Sequence, residues 1–239
     1  MSADCCESTG QSHPARCKDC AVRPFSVCAA LSDDELGELQ ALSEPTSVAP
    51  KSALLLQDEP VQNVFNITSG CVRLSKILSD GRRQVIGFAI AGDFLGLSFQ
   101  DRSNFTAEAI GPVTACRFRK KAFLNYLDTK PDLVRRLLEF SANELRLAQE
   151  QLVLLGRRTA EERVASFLTM LRARNSRFGH QGATLQLPMS RLDIADYLGL
   201  TIETVSRTFT KMVRDKLIII VPDGIRFVDL AHVGQIAAE

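Results

Sequence analysis

Between Ser190 and Thr210 the chain has few ways to fold. Ser190 stands three residues before Asp193, the spacing of a helix-capping box, and the helix it opens carries Ile194, Ala195 and Leu198. Gly199 breaks that helix, and Thr201-Ile202-Glu203-Thr204-Val205-Ser206-Arg207-Thr208-Phe209 begins another. The small Ala195 permits a close helix crossing, Gly199 supplies the tight turn, and Ile194, Leu198, Leu200 and Val205 fill the junction. This is a helix-turn-helix pattern. Leu217 to Val221, then Asp223-Gly224, then Ile225 to Val228 reads as a closing β-hairpin, which makes the unit winged.

In such a unit the second helix reads base edges from its N-terminal half, and here Thr201, Glu203, Ser206, Arg207 and Thr210 occupy the exposed positions. Arg207 suits guanine O6 and N7, and Glu203 can accept from cytosine N4. Double-stranded DNA also demands positive charge for its phosphates. From Arg157 onward there are 12 Lys and Arg against 9 Asp and Glu, and before it 17 against 19. The excess is small, but it lies in the right part of the chain.

Upstream, Pro131 opens a long helix expected to run to about Leu155, with Gly156 as its stop. Val134, Leu138, Ser141, Leu145, Ala148, Leu152 and Leu155 are spaced 4, 3, 4, 3, 4, 3, the seam of a parallel two-stranded coiled coil. Leu137, Phe140, Leu147 and Leu154 form a second stripe that could pack on the chain's own body. A helix lying on its own domain needs one stripe, so the other calls for a second copy. A single helix buried between two domains is the alternative.

From about Ser43 to Cys116 short apolar runs alternate with turn residues. Ala53 to Leu56, Val64 to Ile67, Val72 to Leu78, Gln84 to Phe88 and Val113 to Cys116 read as strands, and Asp80-Gly81 as a hairpin turn. Their spacing implies an antiparallel sandwich or barrel. Before them, Ser32 with Glu35 forms a capping box for a short helix ending near Ala41, with Leu31 stapling to Leu36. The fold class expected is α+β, in four parts. They are a cysteine-rich segment over 1–30, a jelly-roll-like β-roll over 31–129, a dimerisation helix over 130–156 and a winged helix-turn-helix over 157–239.

Five of the seven cysteines fall in the first 28 residues: Cys5, Cys6, Cys17, Cys20 and Cys28, with Cys71 and Cys116 further on. An odd count crowded at one end argues against a disulfide framework. Cys17, Cys20 and Cys28 read C-x2-C-x7-C, and zinc and iron–sulfur sites normally take four ligands. Cys71, Cys116 or His13 could supply the fourth, and a flexible tail with incidental thiols is the plain alternative. No apolar run approaches a membrane span, and the N-terminus has early acids and no secretory core. The expected compartment is the cytoplasm. An enzyme with a thiolate nucleophile needs a partner histidine, and His13, His180 and His232 show no catalytic context.

A β-roll, a long helix and a winged helix-turn-helix in this order resemble the cyclic-AMP receptor protein/FNR superfamily, from about Cys17 to Asp229. Two details resemble its oxygen-sensing FNR branch. The branch's DNA-reading Glu-x-x-Ser-Arg stands here as Glu203, Ser206 and Arg207. Its cluster cysteines, three N-terminal and one in the strand entering the helix region, match Cys17, Cys20, Cys28 and Cys116, with a last gap of seven as in alphaproteobacterial relatives. The resemblance implies a [4Fe-4S] cluster degraded by oxygen. It also implies a homodimer binding an inverted repeat close to TTGAT-N4-ATCAA, and an RNA polymerase contact at Ser79-Asp80-Gly81-Arg82. A zinc-bound or cluster-free regulator answering nitric oxide or peroxide is the alternative. The family's cyclic-nucleotide pocket carries Gly-Glu-Leu and Arg-Ala-Ala segments. The stretch from Gly92 to Phe99 lacks that arginine, so no cyclic nucleotide is expected. Relatives with an acidic residue near the seam have Ala148 in that place here, and no histidine pair suggests haem.

Overall fold

The computed structural model describes residues 17–97, 101–176 and 184–238. Cys5, Cys6, His13, His180, Ser98 and Phe99 lie outside them. After 3-10 turns at Cys17–Asp19, Arg23–Phe25 and Val27–Ala30 comes α1 (Asp33–Leu42). Its capping box is formed as the sequence implies, with Ser32 N–H donating to Glu35 Oε2 at 2.9 Å and Glu35 N–H to Ser32 Oγ at 3.4 Å. Residues 17–30 show no periodicity because 3-10 turns this short have none. They are held by polar contacts, in which Cys17 N–H donates to Gln40 Oε1 and Arg23 donates to the Leu31 carbonyl and Asp33, and by burial of Val27 and Cys28 against Leu133 and Leu137.

Eight strands follow: β1 (Ser43–Val48), β2 (Ala53–Leu55), β3 (Asn63–Ser69), β4 (Cys71–Ile77), β5 (Arg83–Ile90), β6 (Phe94–Leu95), β7 (Thr106–Ala109) and β8 (Val113–Arg119). They form two antiparallel four-stranded sheets, ordered β1-β8-β3-β6 and β2-β7-β4-β5. Phe65, Ile67, Val113 and Ala115 of the first face Leu55, Val72, Ala89, Ala107 and Ala109 of the second in one dry core. Gly70, at φ +86° between β3 and β4, lies so close to the Pro112 carbonyl that no Cβ fits there. The strands β1, β6 and β7 escaped the sequence reading. They are short or polar, and their register with β8, β3 and β4 defines them rather than any pattern of their own.

The helices α2 (Lys120–Leu127) and α3 (Pro131–Arg157) come next. Gly156 does not stop α3, which ends with Arg158 as its cap. The guanidinium of Arg163 gathers the exit of this helix, donating to the carbonyls of Leu155, Arg158 and Leu198. The C-terminal unit has α4 (Ala160–Ser176), β9 (Thr184–Gln186), α5 (Arg191–Leu198), α6 (Ile202–Arg214), β10 (Ile218–Val221), β11 (Gly224–Phe227) and α7 (Leu230–Ala238). The wing is a three-stranded sheet, β10-β11-β9.

Candidate nucleic-acid interface and thiol site

Ser190 caps α5 and Thr201 caps α6, and Gly199 turns between them in the left-handed region at φ +61°. Ile194, Ala195, Leu198, Val205 and Phe209 are fully buried in the crossing. That packing leaves Glu203, Ser206, Arg207 and Thr210 exposed along one side of α6. Thr201 also faces solvent, but its Oγ1 is engaged as a cap, accepting from Thr204 N–H at 3.2 Å. Thr210 Oγ1 donates to the Ser206 carbonyl. Arg191, which the sequence reading passed over, lays its guanidinium 3.4 Å from the centre of the Phe209 ring. The Phe209 ring is therefore bracketed by a cation beside the exposed helix face.

On α3, Val134, Leu138, Leu145 and Leu152 are 39%, 65%, 61% and 72% exposed, and Ser141 and Ala148 lie on the same open side. Leu155 departs from the expected seam. It is half-buried against the helix-turn-helix core, 3.2 Å from where a side chain on Gly199 would begin. The second stripe divides between two partners rather than packing on the roll alone. Leu137 and Phe140 join the core beside β8 and α2, and Leu154 enters that of the C-terminal unit.

Cys17, Cys28 and Cys116 belong to one apolar cluster with Val64, Phe118, Leu133 and Leu137, and Cys20 stands at its edge. Burial pushes the Cys28 thiol up to about 11, although the Ser26 hydroxyl favours its anion and the thiols of Cys17 and Cys20 disfavour it. Burial, with the neighbouring Cys28, Cys17 and Cys20, pushes Cys116 higher still. Cys17, Cys28 and Cys116, whose pKa values burial raises, form with Cys20 a set of sulfur donors that a bound metal group would stabilise as thiolates. Among the described residues, no group of three or more His, Cys, Asp or Glu is placed to hold a single metal ion. Cys71 lies elsewhere, buried at the junction of β4 with the C-terminal unit, with Arg174 and Asp93 nearby.

That junction is the feature least visible in the sequence. Asp193 Oδ1, on a side chain 5% exposed, accepts from Arg73 at 2.6 Å and Arg83 at 3.1 Å, while its Oδ2 accepts from Ser190. Arg83 also reaches Asp196 at 2.8 Å, Arg73 reaches Glu108 at 2.7 Å, and Gln84 donates to the Asp196 carbonyl. Beside them a cavity of about 910 Å³ is walled by the roll, α3 and the C-terminal unit. Although the 92–97 stretch has no arginine, the fold brings Arg102 and Arg174 to this cavity from outside it; Arg174 is paired with Asp93.

A β-roll joined to a winged helix-turn-helix by a long helix with an open apolar stripe defines a DNA-binding regulator of transcription. Residues 162–235 match the Crp-like helix-turn-helix domain, and residues 45–130 the cyclic nucleotide-binding domain. The chain is 48% identical to the transcriptional activatory protein AadR of Rhodopseudomonas palustris, over 93% of this chain and 94% of that one. It is 46% identical to the nitrogen fixation regulation protein FixK of Bradyrhizobium diazoefficiens, with the same coverage of each. The structure of FixK2 from Bradyrhizobium japonicum superposes with a TM-score of 0.76 at 33% identity, over 82% of this chain and 98% of that one. The chain belongs to the Crp/Fnr family of transcription regulators, and its relatives are regulators rather than enzymes. No described helix is long and apolar enough to cross a membrane.

Proposed function

We propose that this regulator is an oxygen-responsive, cytoplasmic transcription activator whose Cys17, Cys20, Cys28 and Cys116 thiolates hold a [4Fe-4S] cluster. The observation that carries this reading is the convergence of Cys17, Cys28 and Cys116 on the core containing the first turns of α3, with Cys20 close enough to act on the Cys116 charge. When bound, the cluster supplies an oxygen-labile tie between the N-terminal segment and β8. With the thiolates tied, the Val27–Ala30 turn stays packed on Leu133 and Leu137 and steadies the open stripe of α3 for a second copy. Once freed, Cys17, Cys28 and Cys116, whose pKa values are raised, stay protonated, and that packing loosens. Asp93 already occupies Arg174 in the cavity, so the regulator takes no cyclic nucleotide there. The exposed β4–β5 tip, where Asp80 pairs with Arg82 at 2.7 Å, is the surface offered to RNA polymerase.

The test is anaerobic iron and sulfide determination, with operator gel shifts before and after air. Wild-type and Cys71→Ser protein should be brown, iron-loaded and bleached by air, and Cys116→Ser should hold no cluster. Colourless anaerobic protein carrying one zinc, or operator binding indifferent to air, overturns the sensing mechanism and leaves a Crp/Fnr regulator answering another redox or nitric oxide signal.

On DNA, two copies of α6 read an inverted repeat close to TTGAT-N4-ATCAA, with Glu203, Ser206 and Arg207 on base edges and Thr201 and Thr210 beside them. Arg207→Ala is expected to cost about 1–3 kcal/mol of operator binding and to relax specificity at one base pair per half-site. Equal weakening on every sequence in a binding-site selection is the outcome that excludes base reading.

A further inference from the structure

Asn66 is a polar side chain, 2% exposed, in the middle of β3, and its Oδ1 has no hydrogen-bond partner. Its place is set by register. Asn66 lies directly opposite Cys116 on β8 and opposite Phe94 on β6. Directly opposed residues of an antiparallel pair project from the same face, with Cβ atoms about 5 Å apart. The neighbours of Asn66 on that face agree. Val64 packs in the cluster that contains Cys17, Cys28 and Cys116, and the Thr68 hydroxyl meets that of Thr114 at 2.7 Å. Of the two side chains flanking the amide, Phe94 has no polar atom, and only Cys116 can serve as a partner.

We propose that Asn66 is a positioning residue for the thiol site, presenting its amide to the Cys116 sulfur. This deepens the four-thiolate reading and rests on it. An amide offers a carbonyl at one end and N–H groups at the other, and a half-turn of the side chain exchanges them. Toward a protonated Cys116 it offers Oδ1 as acceptor. Toward the thiolate it offers Nδ2–H as donor, the contact that orients a ligating sulfur and tunes what it holds. A buried polar pole left without a partner is a cost that an aliphatic residue at this position avoids, so its retention needs a reason. Hydrogen bonds to sulfur are among the determinants of iron–sulfur reduction potential.

The experiment compares wild type with Asn66→Leu, which keeps the volume and removes both poles, and Asn66→Thr, which restores a donor. Iron and sulfide content, anaerobic redox potential and the air half-life of the visible absorbance are measured on each full-length protein. Asn66→Leu should keep its iron, shift to a more negative potential and bleach several-fold faster, with Asn66→Thr moving both back toward wild type. Iron-loaded Asn66→Leu with unchanged potential and lifetime overturns the role of Asn66 alone. An iron-free wild type overturns the four-thiolate reading and this proposal with it. Should Asn66→Leu fail to fold, Asn66→Thr decides. Unchanged potential and lifetime in that protein support the donor role, and the Leu-type loss of both overturns it.

Discussion

Leu145→Glu should turn the protein into a well-folded monomer that no longer grips a palindrome. Leu145 is 61% exposed on the stripe with Leu138 and Leu152, so the single chain loses almost no packing when it changes. Against a second copy the same side chain is buried twice, once from each protomer. Burying a leucine is worth about 1.5–3 kcal/mol, and two removed together weaken pairing by about a hundredfold to ten-thousandfold at about 1.4 kcal/mol per factor of ten. Burying two glutamates adds to that. A monomer cannot occupy half-sites one helical turn apart, so operator affinity collapses with the dimer. Analytical ultracentrifugation and gel shifts check this, and thermal melting shows that the monomer keeps its fold. A dimeric Leu145→Glu protein with wild-type operator affinity rules out the stripe as the interface.

Asp193→Ala should break the tie between the roll and the helix-turn-helix. Its carboxylate serves two guanidiniums and the α5 capping box at once. Removing the shared partner of such a buried network costs about 3 kcal/mol, because Arg73 and Arg83 keep their charge and are left with only Glu108 and Asp196 to meet it. In a chain of this size that is roughly 10 °C in melting temperature. Calorimetry should resolve two transitions where the tied protein gives one; a single unshifted transition would show that the apolar junction alone suffices. The same link responds to acid. Burial by itself raises the Asp193 pKa, but Ser190 and Arg73 outweigh it and hold the value below the ordinary 3.8. The stabilisation is therefore complete above about pH 4 and is lost as pH falls below that toward the lowered folded value. Asp193→Ala should remove that acid-sensitive part of the melting curve.

Much of this was legible in the linear chain because the signals are local. The Ser32 and Ser190 capping boxes, the Gly199 turn and the 4-3 spacing on α3 each involve residues within a turn or two of one another. The structure forms them as read, apart from Leu155 and the helix stop at Gly156. Asp193 was legible only as a cap. Its partners stand 110 and 120 residues away, and no spacing rule spans such a gap. The strand β1 and the turns at 17–30 were hidden for a related reason, since pairing with β8 and side-chain contacts hold them rather than any period.

By itself, the sequence determined which segments coil, pair and cap, and that Thr201, Glu203, Ser206, Arg207 and Thr210 share the outer side of one helix. It left Cys71, Cys116 and His13 equally eligible to join Cys17, Cys20 and Cys28. Resemblance to the FNR branch favoured Cys116, and of the two later cysteines the tertiary structure brings Cys116 alone into the cluster with Cys17 and Cys28. The β3–β8 register carries Cys116 under the N-terminal turns and Asn66 beside it, while β4 buries Cys71 against the C-terminal unit. Helical and strand periods are written within a few residues, whereas which distant side chains meet depends on how two sheets close, and that is settled by packing.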